Sequence, residues 1–333
     1  MQRYRLAWDR GQAPVAWALV LSKVLGIVGR ACIIVGLFIL GFVAFQLWGT
    51  GFEEGRSQSD LADRLAASVR QTAKISGDAD AGKIADALEK ATAESGAATA
   101  PVTPAPAQGE PVGIIEIPKI GLERVIVQGV SKADLKKGPG HYPGTPLPGQ
   151  AGNSGIAGHR TTYGAPFNRI DELVPGDEIT ITTPQGRFTY TVIKAPDSDA
   201  APYIVKPSDV SVLEDKGDNR ITLTACHPEY SARQRIIVNA VLSTSPAPTS
   251  PPSKVVSEAV SASNTALDEG MSGDDSALLP AIAFALGALA AGLAAWFIGK
   301  HWKRWPMWVI GTPVVLALVW FSYVYLDRYL PSL

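Results

Sequence analysis

Apolar positions follow two patterns along the 333 residues: three long uncharged runs toward the ends and a series of short alternating runs in the middle. The first long run, Ala31 to Trp48 ("ACIIVGLFILGFVAFQLW"), has 18 residues without a charge and is long enough to cross a hydrocarbon core with its apolar flanks. Ala277 to Gly299 and Trp305 to Leu326 are two more, separated by "KHWKR". A buried core helix of that length needs a large α-domain around it, and the pattern contains none. Residues 1–30 precede the first run and "GTGFEEG" follows it, which fits a retained signal anchor rather than a cleaved leader.

The middle of the chain, residues 112–242, reads as one domain. "GIIEIPKI", "ERVIVQGV", "SGIAGH", "DEITITTPQGRFTYTVIKA", "RITLTAC" and "RIIVNAVL" alternate or run apolar, are rich in β-branched residues and are punctuated by Gly and Pro. "TTPQGRF" has the composition of a hairpin turn. Short strands without a long amphipathic helix predict an all-β domain, a small closed barrel or a sandwich. Before it, residues 49–111 form a stalk and linker. Leu61, Leu65, Val69, Ile84 and Leu88 lie at helical spacing, so short helices are expected within a solvated spacer, followed by the Pro- and Ala-rich "GAATAPVTPAPAQGEP". Residues 243–276, opening with "STSPAPTSPPSK", are expected to be a disordered linker.

Charge then sets the orientation. Arg3, Arg5, Arg10, Lys23 and Arg30 precede the first run and Glu53 and Glu54 follow it, so the N-terminal segment 1–30 stays in the cytoplasm and run 31–48 is the anchor. Lys300, Lys303 and Arg304 then mark 300–304 as a cytoplasmic loop between two further spans, 277–299 and 305–326. The expected product is a multi-pass protein of the cell membrane, in contact with its lipid, with everything from about Gly49 to Ser276 outside. The net charge of −1 gives no basic footprint for nucleic acid.

Of the two cysteines, Cys32 lies in the first apolar run, so Cys226 in the outer domain has no partner for a disulfide. A thiol becomes a nucleophile when a base or cation favours the thiolate, and acyl transfer also needs a donor for the oxyanion. Three of the four histidines are outside. His227 adjoins Cys226 and, on a strand, points to the opposite face. His141 sits in the Gly- and Pro-rich "KKGPGHYPGTPLPGQ", where a fixed turn accounts for it. His159 ends a short apolar strand beside Gly158 and is placed to act as a base. Arg235 heads the run "RIIV" next to the strand that ends at Cys226, while Arg233 falls in the connecting loop. On residue type alone, an inert buried thiol with a surface arginine fits as well as a catalytic set.

Order and context carry further. "TLTAC" (Thr222 to Cys226), "IAGH" (Ile156 to His159) and "RIIV" (Arg235 to Val238) resemble the motifs of the sortases, membrane-tethered cysteine transpeptidases of Gram-positive bacteria, and "CHPEYSARQR" looks like the class E, actinobacterial housekeeping branch. The resemblance extends through "IPKIGL", "GPGHYPGT" and "GHRTTYGAPF". It implies an eight-stranded β-barrel and a transpeptidase that cleaves LPxTG- or LAxTG-like signals after Thr. Cys226 would be the nucleophile, His159 the acid and base, and Arg235 the oxyanion and substrate holder. Tyr163 and Thr224 are candidate substrate contacts; Thr224 lies two residues from Cys226, on the same face. Implied partners are surface proteins with a C-terminal sorting signal and a peptidoglycan precursor amine, without metal or organic cofactor. Ala225 departs from the family's usual Thr, which the resemblance places near the nucleophile. The alternatives are a pilin-polymerising sortase, against which "APAQGEPVG" lacks the Asp-Pro-aromatic lid, and a catalytically retired scaffold.

The charge asymmetry predicts that a reporter fused after Ser276 behaves as extracytoplasmic and one between Gly299 and Trp305 as cytoplasmic. The opposite labelling would overturn the exported-domain reading.

Overall fold

A computed structural model describes residues 13–73, 80–92, 100, 102, 104–250, 273–301 and 304–330. The N-terminal segment before residue 13, most of the 243–276 linker and part of the loop between the last two apolar runs lie outside the described residues. The chain divides into two compact units, Met1–Gln46 and Leu47–Leu333. The first contains helix α1 (Ala13–Ala44), which begins ahead of the expected span. Its described side chains are largely exposed and apolar, from Trp17 and Val20 through Val43.

The second unit is built on a closed barrel. Its strands are β1 (Pro111–Ile117), β2 (Leu122–Gln128), β3 (Gly140–His141), β4 (Asn153–Ala157), β5 (Glu178–Thr183), β6 (Gly186–Val192), β7 (Tyr203–Val205), β8 (Arg220–His227) and β9 (Gln234–Leu242). They follow the order β6-β5-β1-β2-β3-β4-β8-β9, and β6 pairs back onto β9 to close eight strands, with β7 added along β9. Closure removes the open sheet edges. The interior is filled by Ile115, Ile117, Phe167, Ile181, Phe188, Leu223, Val238 and their neighbours. The "TTPQGRF" turn joins β5 to β6 as the composition suggested.

The expected solvated spacer is corrected by the structure. Helices α2 (Thr50–Ala73) and α3 (Ala81–Thr92) bury Leu61, Leu65, Val69, Ile84 and Leu88 against Ile114, Val125 and Val127 on the outer face of β1 and β2. The helical spacing was legible, but the apolar outer face of the barrel that receives it was not. Each such side chain contributes roughly 1.5–3 kcal/mol by leaving water, so the stalk is part of the fold. The C-terminal linker also starts later than expected: Ala247 is buried, its N–H donates to the Gly149 carbonyl (2.8 Å), and Gln150 Nε2 donates to Ser250 Oγ (2.7 Å).

A one-turn helix, α4 (Lys132–Leu135), lies between β2 and β3. Helices α5 (Leu278–His301) and α6 (Arg304–Tyr329) form an antiparallel pair, joined by Ser322 Oγ donating to the Ala281 carbonyl (2.9 Å) and by Phe284 stacking on Phe321 and Tyr325. With α1, three helical stretches are long and apolar enough to cross a membrane.

His141 pins the β3–β4 turn. Its ring is buried, Nε2 donates to the Pro146 carbonyl (2.9 Å) and Nδ1 lies 2.9 Å from the Gln128 side-chain amide. Burial pushes its pKa down to about 4, so the ring is neutral in the fold. The unfolded chain protonates this group near the ordinary value of 6.5, so the stabilisation is full above that pH and is lost as pH falls toward 4. The loss is at most about 3 kcal/mol. Denaturation of the full-length protein between pH 7 and 4.5 should show the wild type losing stability relative to His141→Gln; parallel curves would contradict this.

Candidate active site

The site is assembled by the neighbours of β8. On its antiparallel side, β9 sets Cys226 directly opposite Arg235. Directly opposed residues project to the same face, so the guanidinium stem and the thiol share one side of the sheet. On its parallel side, β4 pairs Ala157 with Thr224, and the Gly158 N–H donates to the Thr224 carbonyl (3.0 Å). Continuing that register by two residues brings His159 level with Cys226. Residues from β8, from β9 and from the turn after β4 thus come level at one end of β8.

The face they use lies outside the barrel interior. Cys226 packs with Val130, Leu135, Tyr142, Ala157, Val212 and Ile237, whereas Ile221, Leu223 and Ala225 point into the main core. Cys226, His159 and Arg235 are all at most 1% exposed. Arg235 is a large buried cation, which folding tolerates only with its donors engaged; Nη1 donates to the carbonyls of Ala232 (2.8 Å) and Gln234 (2.9 Å). Arg233 is exposed in the loop between β8 and β9. Thr224 shares the face of Cys226, and its hydroxyl is 3.0 Å from that of Tyr142. His227, partly exposed at the end of β8, has Nδ1 3.4 Å from Arg160 Nη1.

Residues 115–243 match the family model of the sortase domain. The barrel belongs to the sortase family. The chain is 32% identical to sortase SrtE1 of Streptomyces coelicolor over 248 residues, covering 69% of this chain and 59% of that protein. It is 36% identical to sortase D of Bacillus subtilis over 124 residues, covering 37% of this chain and 58% of that protein. The chain therefore spans about three-fifths of the length of these two relatives. A solved structure of sortase E from Streptomyces avermitilis is 36% identical, covering 42% of this chain and 93% of that one, with a TM-score of 0.36.

The orientation of the sortase strand β8 corrects one expectation. Ala225 was expected beside the nucleophile, where the family's usual Thr would place a hydroxyl, but it is 0% exposed within the barrel core. Neighbouring residues on a strand face opposite ways, so a hydroxyl at this position would enter the core rather than the face that carries Cys226. Tyr163 lies against the site, its ring centroid 5.3 Å from that of His159. Its hydroxyl, however, is engaged with Asp327 on α6, a residue outside the sortase motifs. Tyr142 and Asp327 were not singled out from the sequence. Tyr142 follows His141 in a Gly- and Pro-rich turn whose composition marks only a bend, and the pairing of Asp327 crosses 164 positions.

Gly158 lets His159 reach this position. A Cβ at Gly158 would lie 2.5 Å from Phe167 Cδ2, in a loop fixed by the Phe167 N–H donating to the His159 carbonyl (3.0 Å). Gly158→Ala is expected to destabilise the protein by about 1–3 kcal/mol through overpacking. A thermal midpoint equal to that of the wild type would show that the loop yields freely.

Proposed function

We propose that the protein is a membrane-anchored sortase transpeptidase of class E type, cleaving LAxTG- or LPxTG-like sorting signals after Thr and joining the released carbonyl to a cell-wall peptide amine. The observation that carries this reading is the β8 register, with Arg235 opposite Cys226 and His159 level with it across β4. The matched family model and the similarity to sortase SrtE1 support the reaction class.

In the proposed mechanism the Cys226 thiolate, favoured by the neighbouring guanidinium, attacks the Thr carbonyl. Negative charge develops on the carbonyl oxygen, and Arg235 holds it. His159 gives its proton to the departing Gly nitrogen as the C–N bond breaks, leaving a thioester on Cys226. An incoming amine then attacks the thioester, His159 takes its proton, and an amide replaces the bond to sulfur. Thr224, on the face of Cys226, is the proposed substrate contact; Tyr163, whose hydroxyl is engaged with Asp327, stands against the His159 ring instead. The three apolar helical stretches fit attachment to the membrane with the barrel outside, close to substrates and acceptors carried there.

Cleavage of LAxTG and LPxTG peptides and their transfer to candidate amines, followed by mass spectrometry with the full-length protein, tests the assignment. Cys226→Ala and His159→Ala are expected to lose nearly all activity, while His227→Ala keeps most of it. Arg235→Lys should fall about a hundredfold or more, comparable to losing an oxyanion donor, and Arg233→Lys should be nearly silent. Turnover by Cys226→Ala would exclude the thioester mechanism. Equal rates for the two arginine variants would remove Arg235 from the site.

A further inference from the structure

The end of α6 reaches the loop that follows His159. Asp327 is only 6% exposed; its Oδ2 accepts from the Tyr163 hydroxyl and pairs with Lys136 Nζ at 2.8 Å. Lys136 Nζ also lies 4.8 Å from the centroid of the Tyr163 ring. Lys132 Nζ donates to the carbonyls of Asp327 (3.2 Å), Arg328 (2.9 Å) and Leu330 (2.8 Å). Carbonyls at the end of a helix lack intrahelical partners and carry the negative end of its dipole, so the half-buried Lys132 ammonium is a favourable cap. Two lysines from α4 and the turn after it therefore grip the helix end, while its one buried carboxylate grips the tyrosine.

The gripped loop is held in an uncommon conformation. Tyr163, Gly164 and Ala165 have φ of 51°, 70° and 43°, three left-handed residues in succession, of which only one is a glycine. For the other two this region costs roughly 1–2 kcal/mol each, and it persists only where the surroundings enforce it. Those surroundings are identifiable. The Tyr163 N–H donates to Thr50 Oγ1 (3.1 Å), and a Cβ at Gly164 would lie 2.6 Å from Glu54 Oε2. Asp327 supplies the third hold, through the side chain. Burial, followed by the charge of Asp327, pushes the Tyr163 pKa upward, so its hydroxyl remains a donor to the carboxylate.

We propose that Asp327 is a positioning residue for the acyl-transfer site: it holds Tyr163 against His159, so that the C-terminal helix pair completes a centre whose reacting groups all come from the barrel. The proposal rests on the sortase reading above. An imidazole that must first give and then take a proton has to keep its orientation through two steps. The ring of Tyr163 is one wall of its seat, and that wall is set from α6. Releasing it lets the 163–165 turn relax out of the left-handed region and carry the ring away from His159. The effect falls on the proton transfers and leaves the barrel strands unchanged.

The test uses the full-length protein in lipid nanodiscs with Asp327→Ala, Asp327→Asn, Tyr163→Phe and the Asp327→Ala/Tyr163→Phe double variant. Hydrogen–deuterium exchange needs no substrate: Asp327→Ala should speed exchange in residues 163–168 about tenfold or more and leave β8 and β9 unaltered. Single-turnover acylation by an LAxTG peptide should fall about tenfold in maximal rate, with half-saturation within about twofold of the wild type. Asp327→Asn, which keeps an acceptor for the hydroxyl, should recover most of the rate. The double variant should be no slower than Tyr163→Phe alone, because the two side chains act as one unit. Unchanged exchange in 163–168 overturns the proposal, as do additive losses in the double variant or a loss confined to peptide binding. A wild type acylated by neither LAxTG nor LPxTG peptide would count against the sortase reading instead, and the exchange measurement would still decide this one.

Discussion

The candidate centre depends on the register of β8 between a parallel and an antiparallel neighbour. Because side chains alternate along a strand, a slip of one residue against β9 would turn Cys226 into the barrel and bring Ala225 out. The register is secured by burial on both faces. Ile221, Leu223 and Ala225 fill the interior, and Thr222, Thr224 and Cys226 are covered from outside, with Thr222 Oγ1 donating to Asn153 Oδ1 (2.8 Å) on β4. A polar bond on one face and a close-packed core on the other both penalise the slipped pairing, so the placement of the thiol follows from the fold.

That strand sits in a barrel reinforced from outside at two places. The α2–α3 pair covers β1 and β2 with a small apolar core of its own, while the end of α6 contacts α4 and the loop after His159. The second contact is electrostatic where the first is apolar. A carboxylate at 6% exposure is costly unless its lone pairs are used, and Asp327 has both a hydroxyl and an ammonium directed at it. The loop next to the candidate base is therefore fixed by elements that the barrel does not supply.

What could be read from the sequence was local. Alternation gave the strands of the outer domain, long uncharged runs gave the apolar helices, and the "TLTAC", "IAGH" and "RIIV" stretches gave the candidate residues. The pairing of β4 with β8 was not legible, since parallel neighbours leave no mark on each other's sequence. The docking of α2 and α3 was half legible: Leu61, Leu65 and Val69 announce an apolar stripe, but their partners at Ile114, Val125 and Val127 look like ordinary strand residues. The orientation of Ala225 was available from alternation alone, once Cys226 was assigned to the cleft. Asp327 was hidden by its position at the end of an apolar run, where a charge ordinarily marks only the edge of a span.

Whether this register makes Cys226 an acyl-transfer nucleophile is decided by trapping the intermediate. Full-length protein would be mixed with an LAxTG or LPxTG peptide without an acceptor amine, quenched in acid and digested, and the mass of the peptide containing Cys226 measured. The expected product is an adduct on that residue equal to the signal fragment ending at Thr, removed by hydroxylamine as a thioester requires. Cleaved peptide with an unmodified Cys226 at every quench time, or an adduct mapping to another residue, would contradict it.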